Sequence, residues 1–383
     1  MSDWRAASLH FAQTSPLSRA LRKGAQRALE EKQLPTDGGA ELLRKALFIF
    51  ALLISSYAAL VFWAETWWQV TLSAFLLSQA IVLVGFNVMH DAGHAAFSRR
   101  EWVNRLMGRS LDLIGGSLTL WHVKHSILHH TYTNLAELDD DLETKGVMRL
   151  HAAQPYRAYH RYQALYALPL YSLLSIHWVL SDFLEFFGER IGRYRPKQRP
   201  TARDTLVFLG FKLNYFVLAL GLPMWFHEWS DVLPVALGIQ LIVGFTIALV
   251  FQLAHVVDAV DMPEADAHTR RLEDDWATHQ LRTTADFAAD NRFVSWYCGG
   301  LNMQVEHHLF ARISHVRYRH LRPVVEEVCQ EFGVRYRSYP SVLDAVRGHM
   351  RRLSALAKPP LAESACTPAT PTNCALGLER KAL

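Results

Sequence analysis

Residues 67–94 read WWQVTLSAFLLSQAIVLVGFNVMHDAGH. This stretch decides the fold because it joins a long apolar run, residues 67–88, directly to two histidines, His90 and His94. A helix that crosses a bilayer needs about 20 mostly apolar residues, and this run meets that length. The stretch therefore predicts a membrane-spanning helix that carries two imidazoles at one of its ends.

Three further apolar runs of similar length cover residues 46–63, 205–226 and 232–255, and Lys212 is the one charged side chain within the four runs. The runs form two pairs, and the turn region of each pair carries tryptophans, which favour the membrane–water interface. We therefore predict an all-α integral membrane protein with four transmembrane helices in two hairpins. The alternative is a soluble protein with buried helices, and the pairing argues against it.

The distribution of Lys and Arg predicts the orientation. The two hairpin turns contain neither residue, whereas residues 1–45, 99–204 and 256–383 contain nearly all of them. Short loops rich in Lys and Arg stay in the cytosol. Both termini and a histidine-rich helical cap are therefore expected on the cytosolic side, in a multi-pass protein. The bacterial plasma membrane is the expected location, with the endoplasmic reticulum as the alternative.

The chain divides into four expected parts. Residues 1–45 form a cytosolic segment with one amphipathic helix, and residues 46–325 form the membrane domain. Residues 326–357 form a cytosolic helical end. Residues 358–383, rich in Pro, Ala and Thr, form a disordered tail.

Two other apolar stretches do not fit a simple crossing. Residues 165–187 contain Pro169 and His177, and a crossing there would reverse the second hairpin and its Lys- and Arg-poor turn. We favour a half-embedded interfacial helix over a fifth span. Residues 103–121 are too mixed to span and are expected to form a short embedded or packed helix.

Charge and cysteine content exclude several classes. The formal net charge of +4 over 383 residues is small and dispersed, which argues against a nucleic-acid partner. The four cysteines show no paired spacing, which argues against a disulfide framework or a zinc ribbon.

Eight of the nineteen histidines fall at or beyond the predicted cytosolic face of the membrane. Three clusters hold seven of them, in HDAGH (90–94), HSILHH (125–130) and QVEHH (304–308), and the eighth ends the fourth apolar run. Residues four apart share one face of a helix, so each cluster can direct several side chains to one point. The set is His90, His94, His125, His129, His130, His255, His307 and His308, with Gln304.

This pattern predicts a metal site. Imidazole is the commonest metal-binding side chain and suits Zn, Cu, Fe and Ni. One structural zinc ion takes four ligands, usually including cysteine, so eight histidines indicate two metal ions. A single HxxxH is a weak signal, but chance does not account for three clusters on one membrane face. No role is assigned to His10, His151, His160, His177, His227, His268, His315, His320 or His349.

The three motifs resemble the histidine boxes of the membrane-bound fatty acid desaturases. The flanking HHTYTN, LDDD and GGLNMQVEHHLF strengthen the resemblance, which covers about residues 50–325. The glutamine that opens the third box is similar to the front-end branch of that family. The resemblance implies oxygen-dependent desaturation of a fatty acyl chain at two non-haem iron ions, with dioxygen as co-substrate. It implies the eight histidines as iron ligands, and it places Gln304 in a ligand-like position from which a water molecule would reach the metal.

Further residues are expected to support the ligands, because a metal-bound histidine usually gives its second N–H to a carboxylate or carbonyl. The acidic run Asp139, Asp140 and Asp141 is one candidate for this role, and a solvated loop is the alternative for it. No catalytic group is predicted beyond the metal ligands. The supporting candidates are Gln304, Asp91, His122, Glu306, Asp140 and His279.

The resemblance also implies partners: a fatty acyl-CoA or acyl-lipid substrate and the lipid bilayer. Many front-end relatives carry an N-terminal cytochrome b5 domain with an HPGG motif, which this sequence lacks. Electrons are therefore expected from a separate donor, either a ferredoxin or cytochrome b5 with its reductase. Lys124 and Arg282 are candidates to meet an acyl-CoA phosphate or a lipid head group, although the positive-inside bias is the preferred explanation for them.

Two rival functions remain open from the sequence. A di-iron lipid hydroxylase, or a sphingolipid or carotenoid oxidase, would use similar histidine boxes and leave oxygen in its product. A metal transporter or metal-binding membrane protein would place ionisable ligands within the bilayer along a pathway. The predicted spans are nearly free of such groups, which makes the transporter the weaker rival.

Overall fold

The computed structural model describes residues 9–359, except residues 193, 195, 197, 198, 267 and 268. In the described part of the chain nearly all regular structure is helical. The helices are α1 (Pro16–Glu31), α2 (Gly39–Trp63), α3 (Trp67–Gly93), α4 (Glu101–Gly108), α5 (Ser110–Leu113), α6 (118–132), α7 (Ala158–Tyr171), α8 (Leu174–Phe187), α9 (Ala202–Phe226), α10 (Trp229–His255), α11 (Trp276–Thr283), α12 (Arg292–Tyr297), α13 (Gln304–Leu309), α14 (Tyr318–Glu331) and α15 (Val342–Leu356). Two short parallel strands, β1 (Asp286–Phe287) and β2 (Ser338–Tyr339), pair with each other.

Four of these helices, α2, α3, α9 and α10, are long and apolar enough to cross a membrane, which confirms the predicted fold class. Each is a few residues longer than the apolar run that predicted it, because polar residues begin or end the helix. At the start of α9, for example, Thr201 and Asp204 cap each other: the Asp204 side chain accepts the Thr201 N–H at 3.0 Å, and the Thr201 hydroxyl accepts the Asp204 N–H at 3.2 Å.

The two hairpin turns lie together at the end of the molecule that lacks the eight histidines. The His227 Nε2 donates to the Val61 carbonyl at 2.8 Å, and the rings of Phe62 and Phe226 lie 5.2 Å apart. Five tryptophans at this end are exposed on the outer surface, as the aromatic belt of a membrane interface requires. They are Trp63, Trp67, Trp68, Trp225 and Trp229.

The opposite end of the molecule is closed by a helical cap, which we define as α1 and α11–α15. The apolar face of α1 contributes Leu17 and Leu21 to a buried cluster with Leu281 of α11, Val305 of α13 and Val325 of α14. The predicted amphipathic N-terminal helix is therefore part of the cap. The expected boundary at residue 325 falls within α14. Residues 1–8 of the expected N-terminal segment and residues 360–383 of the expected tail lie outside the described residues.

The ambiguous stretch 165–187 is divided between α7 and α8, whose axes meet at 81°. α8 packs against α10, where Ser175 donates a hydrogen bond to the Gln240 carbonyl at 2.7 Å. Its position on the membrane surface stays a prediction. The mixed stretch 103–121 forms short helices, α4, α5 and the first turn of α6, rather than one continuous helix.

A buried ion pair attaches α9 to the rest of the membrane domain. The Lys212 Nζ donates to the Asp182 carboxylate of α8 at 2.7 Å and to the Gly115 carbonyl at 2.6 Å. Both charged side chains are nearly inaccessible, at 2% and 7% exposure. This contact matters because α9 is the least buried of the four long helices, with 11% of its apolar segment buried against 61% for α3.

We predict that Lys212→Met lowers the free energy of unfolding by about 3–5 kcal/mol, because it leaves the Asp182 charge buried without a partner. The double variant Lys212→Met/Asp182→Leu should recover most of that loss, since it removes both charges. Thermal unfolding of the protein in detergent measures both effects. Equal stability of the single variant and the wild type would contradict the structural role of the pair.

Candidate metal centre

The eight predicted histidines converge at the cap end of the membrane helices. His90 and His94 lie at the end of α3, and His255 ends α10. The second box lies on α6 and the third on α13. All eight side chains are buried, at 8% exposure or less.

The first group consists of His90, His94, His125 and His307. One ring nitrogen of each lies within 4.8 Å of the corresponding nitrogens of the others. The Nε2 atoms of His90 and His125 approach to 3.2 Å. The Nε2 of His307 and that of His94 have no hydrogen-bond partner among the described residues, so both are open to a ligand bond. Four converging imidazole nitrogens are able to hold one metal ion.

The second group consists of His129, His255 and His308, whose ring nitrogens also lie within 4.8 Å of one another. His130 lies between the groups. Its Nε2 is 3.2 Å from that of His125, and its ring stacks on His308 with 4.4 Å between centroids. The histidines are thus arranged around two adjacent centres, as the prediction of two metal ions requires.

The backbone of α6 explains how adjacent histidines both reach the site. Residues His122–His129 form a π-helical segment, in which hydrogen bonds join residues five apart. In such a segment, the residues four and five positions after His125 both lie one turn along the helix from its side chain. These residues are His129 and His130. An ordinary α-helix would turn His130 away. A second π-helical segment, Val84–Met89, immediately precedes His90.

Hydrogen bonds to Nδ1 orient three of the rings. Such a bond fixes the tautomer and leaves Nε2 for a metal. In His307 and His308, the Nε2 atom has no hydrogen-bond partner among the described residues and is therefore open to a metal. The three Nδ1 contacts are His129 with Asp139 at 3.1 Å, His307 with the Tyr318 hydroxyl at 3.1 Å, and His308 with Gln280 at 2.8 Å.

Asn134, in the TYTN sequence that follows the second box, joins this box to α10 and α11. Its side-chain amide donates to the His255 carbonyl at 2.8 Å and to the Thr283 carbonyl at 3.1 Å. Its backbone N–H donates to Asp139, the carboxylate that holds His129. The backbone is left-handed here, with φ of 59°, a conformation that asparagine tolerates better than most residues.

Burial sets the protonation of the site. It lowers the pKa values of His125, His130, His307 and His308 well below the ordinary histidine value, so these rings are neutral and able to bind a metal. His129 differs: burial lowers its pKa, but the neighbouring carboxylates, Asp139 first, outweigh burial and raise it to about 9.

Among the predicted supporting residues, Asp91, His279 and Gln304 lie at the site. Asp91 is buried and accepts hydrogen bonds from the Ser314 hydroxyl at 2.5 Å and from the backbone N–H of His315 at 3.2 Å. The His279 Nε2 donates to the Thr133 carbonyl at 2.9 Å. Gln304 is buried, and its side chain lies against the His255 ring.

The other three candidates are placed differently. Within the acidic run, carboxylate oxygens of Asp139 and Asp141 lie 3.1 Å and 3.3 Å from the His129 Nδ1. The Asp140 carboxylate instead lies 3.9 Å from the Lys124 Nζ. Glu306 is directed away from the histidines. The single O–H of Tyr336 donates to the Asp286 carboxylate at 2.5 Å, and the same oxygen lies 3.0 Å from the Glu306 carboxyl group.

Burial, with Asp286 next, raises the pKa of Glu306 well above its ordinary value, and burial raises that of Asp286 to about 6. His122 is exposed at the start of the π-helical segment.

A cavity of about 1220 Å³ meets the site from the side. Of the eight histidines, all of which are described, His125 and His255 line it, one from each group. One end of the cavity is apolar, with Trp178 of α8 facing Phe251 of α10 at 6.5 Å between centroids. The other end contains Lys124 and many carboxylates. The cavity therefore suits an amphipathic molecule that passes both metal centres.

Trp121 forms the wall between this cavity and the first group. Its indole stacks on His125 at 4.6 Å and lies 5.3 Å from His94. It also explains the glycine of HDAGH, because a Cβ on Gly93 would lie 2.3 Å from the indole ring. A larger residue at position 93 would displace Trp121 from the histidines.

Several residues of the site were missed from the sequence, notably Tyr318, Gln280, Asn134 and His315. His315 received no role, yet its Nδ1 lies 3.0 Å from Asp91. The TYTN flank pointed to Asn134 only through the family resemblance. For the others no local signal exists, because their partners are distant in the sequence.

Four membrane-length helices and two adjacent sets of buried imidazoles define a multi-pass membrane protein with a histidine-rich site able to hold metal. The sequence model of the fatty acid desaturase family matches residues 65–340. The chain belongs to this family, and it is an enzyme that desaturates fatty acids.

Curated relatives match most of the chain. An sn-1 linoleoyl-lipid 6-desaturase of Synechocystis sp. is 33% identical, over 92% of this chain and 99% of the relative. An sn-1 linoleoyl-lipid 6-desaturase of Arthrospira platensis is 31% identical, over 88% of this chain and 91% of the relative. An acyl-lipid (8-3)-desaturase of Physcomitrium patens is 34% identical, over 82% of this chain and 65% of the relative.

We predict that Asn134→Asp lowers the free energy of unfolding by about 1–3 kcal/mol. The reason is that the change replaces a buried amide donor, which faces carbonyl oxygens, by a carboxylate acceptor. The matched control is Asn291→Asp. Asn291 caps α12 by accepting the N–H groups of Phe293 and Val294, and aspartate caps equally well. Thermal unfolding in detergent should separate the two variants, and equal stabilities would contradict the role given to Asn134.

Proposed function

We propose that this enzyme introduces a double bond into an acyl chain of a membrane lipid, at two non-haem iron ions held by the eight histidines. Dioxygen is the co-substrate, and a separate protein donates the electrons. One observation carries the proposal: the two histidine groups meet one amphipathic cavity side by side, at His125 and His255.

The donor set fits two iron ions. His90, His94, His125 and His307 would hold the first ion, and His129, His255 and His308 the second, with His130 adjacent to both. The set consists of imidazoles without thiolates, and imidazole suits iron, whereas structural zinc is usually held with cysteine. Gln304, buried against the His255 ring, is suited to contact the second centre through water.

In the overall reaction, one –CH2–CH2– unit of the acyl chain loses two hydrogen atoms and becomes –CH=CH–. Dioxygen takes these two hydrogen atoms, two electrons from the donor and two protons from solvent, and two water molecules form. Iron, when bound, supplies the activation of dioxygen that no side chain can provide.

The residues of the chain hold the substrate beside the metal site and exclude water. Trp121 provides a flat apolar wall next to His125, and Phe251 and Trp178 surround the far part of the cavity. An extended acyl chain that lies against these rings presents its C–H bonds to the histidine side of the cavity. Fixed orientation of this kind supplies a large part of catalysis in enzymes.

The polar end of the cavity favours an acyl-lipid over acyl-CoA. Lys124, a candidate for phosphate binding, is already paired with Glu185 at 2.6 Å, and Arg282 is paired with Asp261 and Asp274. Seven carboxylates line the cavity against four Lys and Arg side chains, which opposes a carrier with several phosphate charges. The carboxylates are Glu137, Asp139, Asp140, Asp141, Glu143, Asp182 and Glu185. The curated relatives from Synechocystis and Physcomitrium are also named as lipid desaturases.

The proposal places the cap and the metal site in the cytosol. The distribution of Lys and Arg supports this orientation, because the hairpin turns at the other end contain none. A ferredoxin, or cytochrome b5 with its reductase, would then reach the cap from the cytosol, and the bacterial plasma membrane is the proposed location.

We predict that a host expressing the protein, supplied with a compatible donor and unsaturated acyl precursors, accumulates a new unsaturated fatty acid. His307→Ala should abolish this product and lower the iron content, because it removes a ligand. His320→Ala, a change at a partly exposed histidine of α14, is the matched control and should retain both. Gas chromatography with mass spectrometry of total fatty acids gives the product and its double-bond position.

A hydroxylated fatty acid in place of the olefin would contradict desaturation and favour the hydroxylase. Absence of bound iron in a well-folded wild-type protein would contradict the metal assignment.

We further predict that the substrate is desaturated while esterified in lipid. Membranes containing the enzyme, a donor and lipids with labelled acyl chains should form labelled product in the lipid fraction when acyl exchange with CoA is blocked. Labelled acyl-CoA under the same block should give less than about a tenth of that product, and membranes with His307→Ala serve as the blank. Preferential turnover of acyl-CoA would overturn the carrier assignment while leaving the desaturase activity intact.

A further inference from the structure

His129 differs from the other predicted ligands in the charge of its partner. Its Nδ1 lies 3.1 Å and 3.2 Å from the two carboxylate oxygens of Asp139, and 3.3 Å from the Asp141 carboxylate. The Asp139 side chain is 1% exposed, whereas that of Asp141 is 43% exposed, so solvent screens the charge of Asp141 more. Asp139 is therefore the charged partner of this ring that solvent screens least.

Asp139 is held in its charged form by its own loop. Its carboxylate accepts the backbone N–H of Asn134 at 2.8 Å and that of Asp141 at 3.1 Å. Hydrogen bonds of this kind favour the ionised form of a carboxyl group. The loop thus fixes a negative charge at the Nδ1 of His129, which leaves Nε2 of that ring for a metal.

The other Nδ1 partners at the histidine site are neutral. In the second group, the Nδ1 of His308 contacts the amide oxygen of Gln280 at 2.8 Å. In the first group, the Nδ1 of His307 contacts the hydroxyl of Tyr318 at 3.1 Å. Among the described residues, a carboxylate therefore contacts a ring nitrogen of His129 and of no other histidine of the eight.

Asp91 does not supply such a charge to the first group, although it follows His90 directly in the sequence. Its two carboxylate oxygens are occupied by His315, whose Nδ1 lies at 3.0 Å, and by the Ser314 hydroxyl at 2.5 Å. The first group thus offers four imidazoles without a carboxylate partner among the described residues. The second group offers three imidazoles, one of which has a carboxylate behind it.

We propose that Asp139 is a positioning residue for one metal ion only, the ion of the second group, so that the two groups hold their ions by separate means and release them separately. A carboxylate at Nδ1 makes an imidazole a stronger ligand and fixes its orientation. Asp139 acts through His129 and is not itself a ligand. The inference rests on the proposed function, because it requires a metal ion at each group of histidines.

The test uses the full-length protein in detergent, loaded with ferrous iron in the absence of oxygen, and counts the iron per chain by mass spectrometry at rising chelator concentrations. The wild type should hold two ions. Asp139→Asn should lower the affinity for one ion by about 10- to 100-fold and leave the affinity for the other unchanged. Tyr318→Phe removes the partner of His307 and should weaken the other ion, so the two variants combined should weaken both.

A charge supplied to a different ligand of the second group separates electrostatic support from a purely structural role. Gln280→Glu places a carboxylate on His308, and it breaks no hydrogen bond, because the Gln280 Nε2 has no partner among the described residues. The double variant Asp139→Asn/Gln280→Glu should regain about tenfold of the affinity lost in Asp139→Asn. A purely structural role would leave the double variant as weak as the single one. Gln280→Glu alone should bind the same ion more tightly, which keeps the inference testable where Asp139→Asn does not fold.

Asp290→Asn is the matched control, since the Asp290 side chain is 93% exposed and contacts Arg322 of α14 rather than a histidine. It should leave both affinities at the wild-type values. Loss of both ions together in Asp139→Asn, an unchanged affinity in that variant, or a double variant without recovery would each overturn the inference. Failure of the proposed function is distinct, because the wild type itself would then hold no iron, or would form no double bond while holding two ions.

Discussion

Eight buried imidazole rings meet at the cap end of the membrane helices, and the structure around them holds their nitrogens toward two points. Burial keeps most of these rings neutral, and a neutral ring nitrogen without a partner is costly unless a ligand bond replaces the lost hydration. The histidine site is connected to the cap through α13. This helix carries His307 and His308, and its Val305 packs on α1, α11 and α14. Without a metal to bind, this buried group of polar side chains would have nothing to offset the cost of its burial.

The supporting hydrogen bonds come from three separate parts of the chain. Asp139 holds His129 from the loop after α6, Gln280 holds His308 from α11, and Tyr318 holds His307 from α14. Asn134 then joins this loop to the end of α10. The second and third histidine boxes are therefore oriented by residues outside their own helices. Metal sites are commonly tuned in this way, through the partners of the ligands.

The membrane helices give the site its second property, access to a chamber that is apolar at one end and charged at the other. The α7–α8 bend and α10 form the apolar end, and Lys124 with its carboxylate partners forms the charged end. An unactivated alkyl chain can be oriented only by shape and apolar contact. In the proposed function, the position of the cavity relative to His125 and His255 determines which carbons of the acyl chain face the histidines.

The sequence by itself determined the four spans, the two hairpins and the identity of the eight histidines, because the length of an apolar run and the spacing of residues along a helix are local properties. Only the tertiary structure decided how the histidines divide into two groups, with His130 between the two groups. It also placed Asp139 and Asp141 of the acidic run at His129, directed Glu306 toward Asp286, and placed His315 beside Asp91. These outcomes depend on π-helical backbone and on contacts between residues far apart in the chain, which the spacing of residue types does not encode.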